Sequence, residues 1–191
     1  MSKTKVIALM GSPRKNGNCD ILTGRVADGI KSMGGEVEIC RLHQMNIKPC
    51  DGCDICRDDI GTDCIIDDDM QKLYPKLREA DALVIASPIY YFSVTAQVKL
   101  FMDRCHSLGG PQGYALKGKR IGIVLTYGDP DPFVSGAGNA IGTLRDTYNY
   151  IGAEIVGIVH GVAMDPGDIS SNSTVMNDAF KLGEKLVSRV D

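Results

Sequence analysis

Residues 6–19 read VIALMGSPRKNGNC, an apolar run that ends in a polar loop containing two glycines. The five apolar residues predict a buried strand, and the apolar positions of Asp20–Met33 recur at helical spacing. Gly34 and Gly35 then end the predicted helix. We therefore expect a strand, a short polar loop and a helix in direct succession, which is the repeating unit of parallel α/β sheets.

The same alternation continues along the chain. Apolar runs predict four further strands at residues 37–42, 82–86, 121–126 and 154–160. Helical periodicity lies between and after them, at residues 70–77, 95–104, 140–151 and 175–186. Because parallel strands need long crossovers, five such strands form a sheet covered on both faces. We predict an α/β fold, a flavodoxin-like doubly wound parallel five-stranded sheet in the order 2-1-3-4-5.

We assign residues 1–191 to one domain, interrupted at residues 45–67 by a segment without periodicity. Of the 191 residues, 43 % are apolar and 24 % are charged, which excludes disordered and fibrous classes. The net charge of −3 argues against a nucleic-acid partner, because phosphate binding needs a basic face. No apolar run approaches the roughly 18 residues of a membrane span, and Val6–Met10 is too short for a signal peptide. We therefore expect a cytoplasmic protein.

The loop after the first strand has the composition of a phosphate site. Backbone N–H groups at a helix N-terminus bind phosphate, and Ser12, Arg14 and Asn18 add side-chain donors. The loop does not have the triphosphate-binding pattern, because Gly17 is followed by Asn18 and Cys19 rather than by lysine and a hydroxyl residue. The alternative is a polar turn whose capping residues are incidental.

The loops after the third and fourth strands favour a flat ligand. Ser87–Ser93 contains Tyr90, Tyr91 and Phe92 in succession, although only 6 % of the chain is aromatic. Such a cluster suits an isoalloxazine ring, and the alternative is an aromatic cluster that closes the end of the sheet. Thr126–Asp129 adds a tyrosine and backbone amides after the fourth strand. Since ligands bind beyond the carboxyl ends of the strands, the three loops together describe a mononucleotide flavin site.

Four of the seven cysteines lie close together, in the pattern Cys50-x₂-Cys53-x₂-Cys56-x₇-Cys64. Clustered thiols in a reducing compartment more often hold a metal than a disulfide. Zinc sites usually pair two Cys-x₂₋₄-Cys knuckles, whereas Cys-x₂-Cys-x₂-Cys begins the bacterial ferredoxin motif. The spacing favours a [4Fe–4S] cluster, with structural zinc and a metal-free loop as the alternatives.

Two stretches carry a resemblance to a known family. GSPRKNGN at residues 11–18 and ASPIYYFSVTAQVK at residues 86–99, closed by FMDR at 101–104, resemble the NAD(P)H-dependent FMN reductases with a flavodoxin-like fold. With the cysteine segment and CIIDDDM at residues 64–70 added, the chain resembles the iron–sulfur flavoprotein branch of that family. The likeness covers roughly residues 5–105.

The resemblance implies which residues contact each cofactor. The FMN phosphate would lie in the loop that contains Ser12, Arg14, Asn16, Asn18 and Cys19. The ring and ribityl chain would contact Pro88, Ile89, Tyr90, Tyr91, Phe92 and Ser93, together with Thr126, Tyr127, Gly128 and Asp129. The cluster ligands would be Cys50, Cys53, Cys56 and Cys64.

The expected function is that of a flavin-dependent oxidoreductase. A redox protein such as ferredoxin and a small-molecule acceptor would be its partners, and relatives of this kind commonly form homodimers or homotetramers. The first alternative is an NAD(P)H-dependent FMN or quinone reductase whose cysteine loop holds zinc or no metal. A second alternative is a binding module without enzymatic activity, whose zinc-stabilised loop docks a partner. The sequence singles out no general acid or base.

Overall fold

Five parallel strands form one sheet in the computed structural model, which describes residues 3–58 and 63–188. The strands are β1 (Lys5–Met10), β2 (Glu36–Arg41), β3 (Ala82–Pro88), β4 (Arg120–Tyr127) and β5 (Glu154–Val162). Their order is β2-β1-β3-β4-β5, and each neighbouring pair is parallel. The predicted flavodoxin-like order is confirmed.

The helices cover both faces of this sheet. They are α1 (Asn18–Ser32), α2 (Ile55–Asp58), α3 (Met70–Glu79), α4 (Ala96–Arg104), α5 (Ala137–Tyr150) and α6 (Ser173–Val187). Successive side chains of a strand point to opposite faces. On β1, Val6, Ala8 and Met10 pack into the core beside α1 and α6, whereas Ile7 and Leu9 join the core beside α3, α4 and α5.

Several predicted boundaries differ by one to three residues from the observed ones. Helix α1 begins at Asn18 rather than Asp20, so Asn18 and Cys19 belong to its first turn. Asp69 stands at the capping position of α3 without a side-chain cap, and the carboxylate of Asp68 accepts from the Met70 N–H at 2.9 Å.

Two features were not predicted from the sequence. A short antiparallel hairpin pairs Gly109–Gly110 with Gly113–Tyr114, and residues 45–67 contain the one-turn helix α2. Within the part of the chain that the structure describes, no helix combines the length and the hydropathy needed to cross a membrane.

Candidate functional site

The loops that follow β1, β3 and β4 surround a pocket of about 200 Å³, and the loop after β5 supplies its fourth wall. We call it the sheet-edge pocket. Its position at the carboxyl ends of the strands is the one expected for ligands of open α/β sheets. It is lined by Ser12, Arg14, Gly17, Asn18, Cys19, Pro88, Ile89, Tyr90, Thr126, Tyr127, Gly128, Ala163, Met164 and Pro166.

The phosphate end of the pocket is the first turn of α1. Gly17 precedes this turn in an extended conformation and provides no side-chain cap, so the N–H groups of the turn stay free for an anion. A Cβ at Gly17 would lie 3.1 Å from that of Arg14, which keeps the loop tight. Asn16 adopts a left-handed φ of 58°, and it lies outside the pocket lining.

Two residues of this turn differ from the predicted picture. The Asn18 side chain donates to the Asp165 carbonyl at 2.9 Å and accepts from the Gly167 N–H at 2.9 Å. It therefore ties the first loop to the loop after β5, and its side-chain oxygen is already occupied by the N–H groups of Gly167 and Ile169. Cys19 is buried, and burial raises the pKa of its thiol far above the ordinary value, so it remains neutral beside the pocket.

The loop after β3 presents one of its three aromatic rings to the pocket. The N–H groups of Tyr90 and Ser93 bond each other's carbonyl groups at 3.0 and 3.2 Å, and this tight turn gives Tyr91 and Phe92 positive φ values. Tyr90 lines the pocket, whereas Tyr91 is 99 % exposed and Phe92 points away. Ser93 also lies outside the lining. Of the residues in this loop that were predicted to contact the ring, Pro88, Ile89 and Tyr90 line the pocket.

The loops after β4 and β5 close the remaining sides. Tyr127 is buried and its hydroxyl lies 2.7 Å from Nδ1 of His160 on β5, while burial raises its pKa. Asp129 lies outside the lining, since its carboxylate accepts from the Asp131 N–H at 2.8 Å. The sequence analysis missed Ala163, Met164 and Pro166, which follow the fifth strand at the same edge of the sheet. That shared edge was the signal that could have identified them.

The four clustered cysteines lie within residues 49–58 and 63–65 of the described structure. Cys50 and Cys53 are exposed, and Cys56 and Cys64 are half-buried. Partial burial raises the pKa of the Cys56 thiol above its ordinary value. Within the described residues, no three Cys, His, Asp or Glu side chains stand in the positions of a metal site. As a donor set, four thiols fit iron–sulfur or zinc chemistry, provided that they converge.

Arg104 joins the two ends of this segment. Its guanidinium donates to the Lys48 carbonyl at 2.9 Å and forms a fully buried ion pair with Asp68. Asp68 in turn accepts from the Lys48 N–H at 2.8 Å. Gln71 adds contacts at 2.5 and 2.9 Å to the carbonyls of Cys64 and Ile66. The cysteines are therefore carried on a closed loop with a fixed, buried base.

With this geometry described, the comparisons with known proteins decide the family. Residues 4–164 match the model of the family described as NADPH-dependent FMN reductase. The chain belongs to this family. Among the FMN reductases it falls in the iron–sulfur flavoprotein branch, as predicted. It is 30 % identical to such a protein from Methanocaldococcus jannaschii over 97 % of both chains, and 32 % identical to one from Methanosarcina thermophila over 95 % of both.

Solved structures agree with the fold. An NAD(P)H:quinone oxidoreductase from Methanothermobacter marburgensis gives a TM-score of 0.73 at 17 % identity, covering 100 % of this chain and 99 % of that one. A flavodoxin from the domain Archaea gives a TM-score of 0.59 at 15 % identity and 96 % coverage of both chains. As an FMN reductase by family, the chain is an FMN-binding, flavin-dependent oxidoreductase. The uncapped turn of α1 and the half-exposed ring of Tyr90 fit a phosphate and a flat ring in one pocket.

Proposed function

We propose that this FMN reductase is an electron-transfer flavoprotein that carries FMN and a [4Fe–4S] cluster. It exchanges electrons with a redox protein such as ferredoxin and with a small-molecule acceptor, and it acts as a homodimer or homotetramer. The observation that supports the cluster best is the closed cysteine loop on the Arg104–Asp68 base. Such a base lets the loop rearrange around a cluster without disturbing the sheet.

In this proposal the cluster ligands are the thiolates of Cys50, Cys53, Cys56 and Cys64. Cys50, Cys53 and Cys56 recur at the three-residue spacing of bacterial ferredoxins, and Cys64 supplies the fourth ligand from the same loop. Cys50 and Cys53 are exposed, which supports a cluster close to solvent, where a protein partner could approach. The small interface typical of redox encounters suffices for such a partner.

The sheet-edge pocket holds FMN in this proposal. The first turn of α1, with Ser12 and Arg14, binds the phosphate by N–H donors and charge. Tyr90, Thr126, Tyr127 and Gly128 would hold the ring and the ribityl chain. Bound FMN supplies redox chemistry in one- or two-electron steps, and the protein positions it and tunes its potential.

The test is the visible spectrum of protein purified without oxygen, with iron, sulfide and zinc assayed on the same sample. We expect flavin bands, a broad shoulder near roughly 400 nm, and about four iron and four sulfide per chain. Single Cys→Ser changes at the four proposed ligands lower the iron content and keep the flavin. Cys40→Ser is the matched control, because Cys40 is buried on β2 and should leave the iron unchanged. Flavin bands in a sample that contains no iron would overturn the proposal of a [4Fe–4S] cluster.

The second candidate is an NADPH-dependent FMN or quinone reductase with a zinc-bound or metal-free cysteine loop. The description of the matching family favours it. The two candidates differ in their electron donor. Rapid bleaching of the flavin by NAD(P)H alone supports the second, whereas reduction by ferredoxin with little response to nicotinamides supports the first.

A further inference from the structure

A second cavity, of about 330 Å³, lies beside the 3₁₀ turn Cys105–Leu108. It is bounded by the end of α4, the short hairpin and the end of α5, and Arg57 also lines it. It shares no lining residue with the sheet-edge pocket. Neither the family nor the proposed cofactors account for it.

The walls of this second cavity suit a flat apolar molecule. Leu108, Leu116 and Tyr148 line it and are each at most 4 % exposed. The rings of Tyr114 and Tyr150 meet edge to face, with centroids 5.7 Å apart. A dry apolar cavity of about 150 Å³ holds a single benzene ring, so a cavity about twice that volume has room for two fused rings.

One hydroxyl of the lining is a donor that a ligand could use. Tyr148 is 2 % exposed as a residue and lines the cavity, and its Oη makes no side-chain hydrogen bond within residues 3–58 and 63–188. The Oη is not among the fully buried polar atoms without a partner in those residues, so it opens into the cavity. A carbonyl oxygen on a ligand would satisfy the Tyr148 hydroxyl, whereas a purely apolar ligand would not.

The cavity is also lined by a second hydrogen-bond donor. The guanidinium carbon of Arg57 lies 6.0 Å from the centroid of the Tyr114 ring, and its Nη2 lies 3.1 Å from Nδ1 of His106. Nε2 of His106 lies 3.1 Å from Nε of Arg57 and 3.1 Å from the Asp54 carboxylate, so both ring nitrogens contact Arg57. Asp103 at the rim is paired with Lys99 at 2.6 Å. The lining therefore favours a ligand that accepts hydrogen bonds.

We propose that this cavity binds a two-ring aromatic compound carrying a carbonyl oxygen, with Tyr148 donating a hydrogen bond to that oxygen. The site is separate from the FMN pocket, and its occupation requires neither the cluster nor a particular electron donor. Arg57 follows the proposed ligand Cys56 in the chain, so the bound compound would lie beside the cysteine loop.

The test uses 2,3-dimethyl-1,4-naphthoquinone, whose methyl groups block addition of thiols to the quinone ring. Binding to the FMN-loaded protein is measured by calorimetry without oxygen, in the presence of excess free FMN. We expect one saturable site per chain. Tyr148→Phe weakens binding about 3–10-fold, the loss expected for one neutral hydrogen bond.

A matched pair of variants on α5 locates the site. Thr147 lines the cavity and Thr143 is exposed one turn earlier, so Thr147→Trp abolishes binding and Thr143→Trp leaves it unchanged. FMN content and far-ultraviolet circular dichroism confirm that both variants are folded. The proposal is overturned if the quinone does not bind, if it competes with free FMN, or if Thr147→Trp binds it as well as Thr143→Trp does.

Discussion

Arg104 is the largest side chain that the described structure buries completely. A buried guanidinium is stable only when its charge and most of its N–H groups are paired. Asp68 and the carbonyl groups of Lys48 and Ile66 provide that pairing, although Nε has no partner. Tyr74 also donates to the Arg104 carbonyl at 3.1 Å. Arg104, at the end of α4, thus connects this helix with both ends of the cysteine loop.

We predict that Arg104→Met lowers the free energy of unfolding by about 3–5 kcal/mol, because it leaves the Asp68 carboxylate buried without its partner. Arg145→Met is the control, since Arg145 is exposed and lies 3.9 Å from Asp146, and it should leave stability nearly unchanged. The measurement is urea denaturation at pH 7. A loss below about 1 kcal/mol for Arg104→Met would show that the pair is not the base of the loop.

The stability contributed by Asp68 depends on pH. Burial raises the pKa of this carboxyl, but hydrogen bonds from Arg104 and from the N–H groups of Lys48 and Met70 outweigh it and hold the pKa below its ordinary value. Because the folded-state pKa is lowered, the ionised carboxylate stabilises the protein at pH values above its unfolded-state pKa. This stabilisation is lost as the pH falls through the folded-state pKa. The advantage of wild type over Asp68→Asn should therefore shrink in acid, and a constant difference would contradict this account.

At the level of elements, α1 and α6 approach so closely that their backbones touch. A Cβ built on Gly29 would lie 2.0 Å from the Phe180 carbonyl oxygen. A Cβ built on Gly183 would lie 2.1 Å from the Val26 carbonyl oxygen. Glycine at both positions is therefore what lets the last helix pack directly on the first. This contact holds α1, whose first turn faces the sheet-edge pocket, against the sheet.

We predict that Gly29→Ala destabilises the protein by about 1–3 kcal/mol, the usual cost of overpacking. Gly24→Ala is the matched control on the same helix, because a Cβ there meets nothing within 4 Å. It should stabilise the protein by about 0.5–1 kcal/mol, since alanine loses less backbone entropy than glycine on folding. Thermal unfolding gives the sign of the stability change for each variant. If Gly29→Ala and Gly24→Ala change the stability in the same direction, the close helix contact is contradicted.

Periodicity predicted the five strands and the helical layers because it records which face of an element is buried. It could not give the distance between α1 and α6, which depends on Gly29 meeting Gly183 across the chain. Nor could it separate Tyr90 from Tyr91, because the turn that directs them apart requires positive φ at residues that rarely adopt it. From the sequence alone, Arg104 would be expected at the surface, because its buried partner Asp68 is identified only in the structure.

On the scale of the whole molecule, both cores share one sheet. Alternate residues of β1 contribute to the core on either face, so neither helical layer can separate without exposing the sheet. The sheet-edge pocket draws on the loops after β1, β3, β4 and β5, which makes its geometry a property of the complete sheet. A ligand bound there is coupled to the stability of every strand it touches.

We therefore predict one cooperative unfolding transition whose midpoint rises with FMN. At an FMN concentration about 100-fold above its Kd, the free energy of unfolding should increase by about 2.7 kcal/mol, because FMN binds the folded state alone. Far-ultraviolet circular dichroism reports the backbone of the whole chain, and near-ultraviolet signals of Tyr74 and Tyr148 report the packing of the face covered by α3, α4 and α5. If the two signals shift together on titration with FMN, the chain unfolds as one domain. Separate midpoints, or a shift in only one signal, would mean that one helical layer melts independently of the pocket.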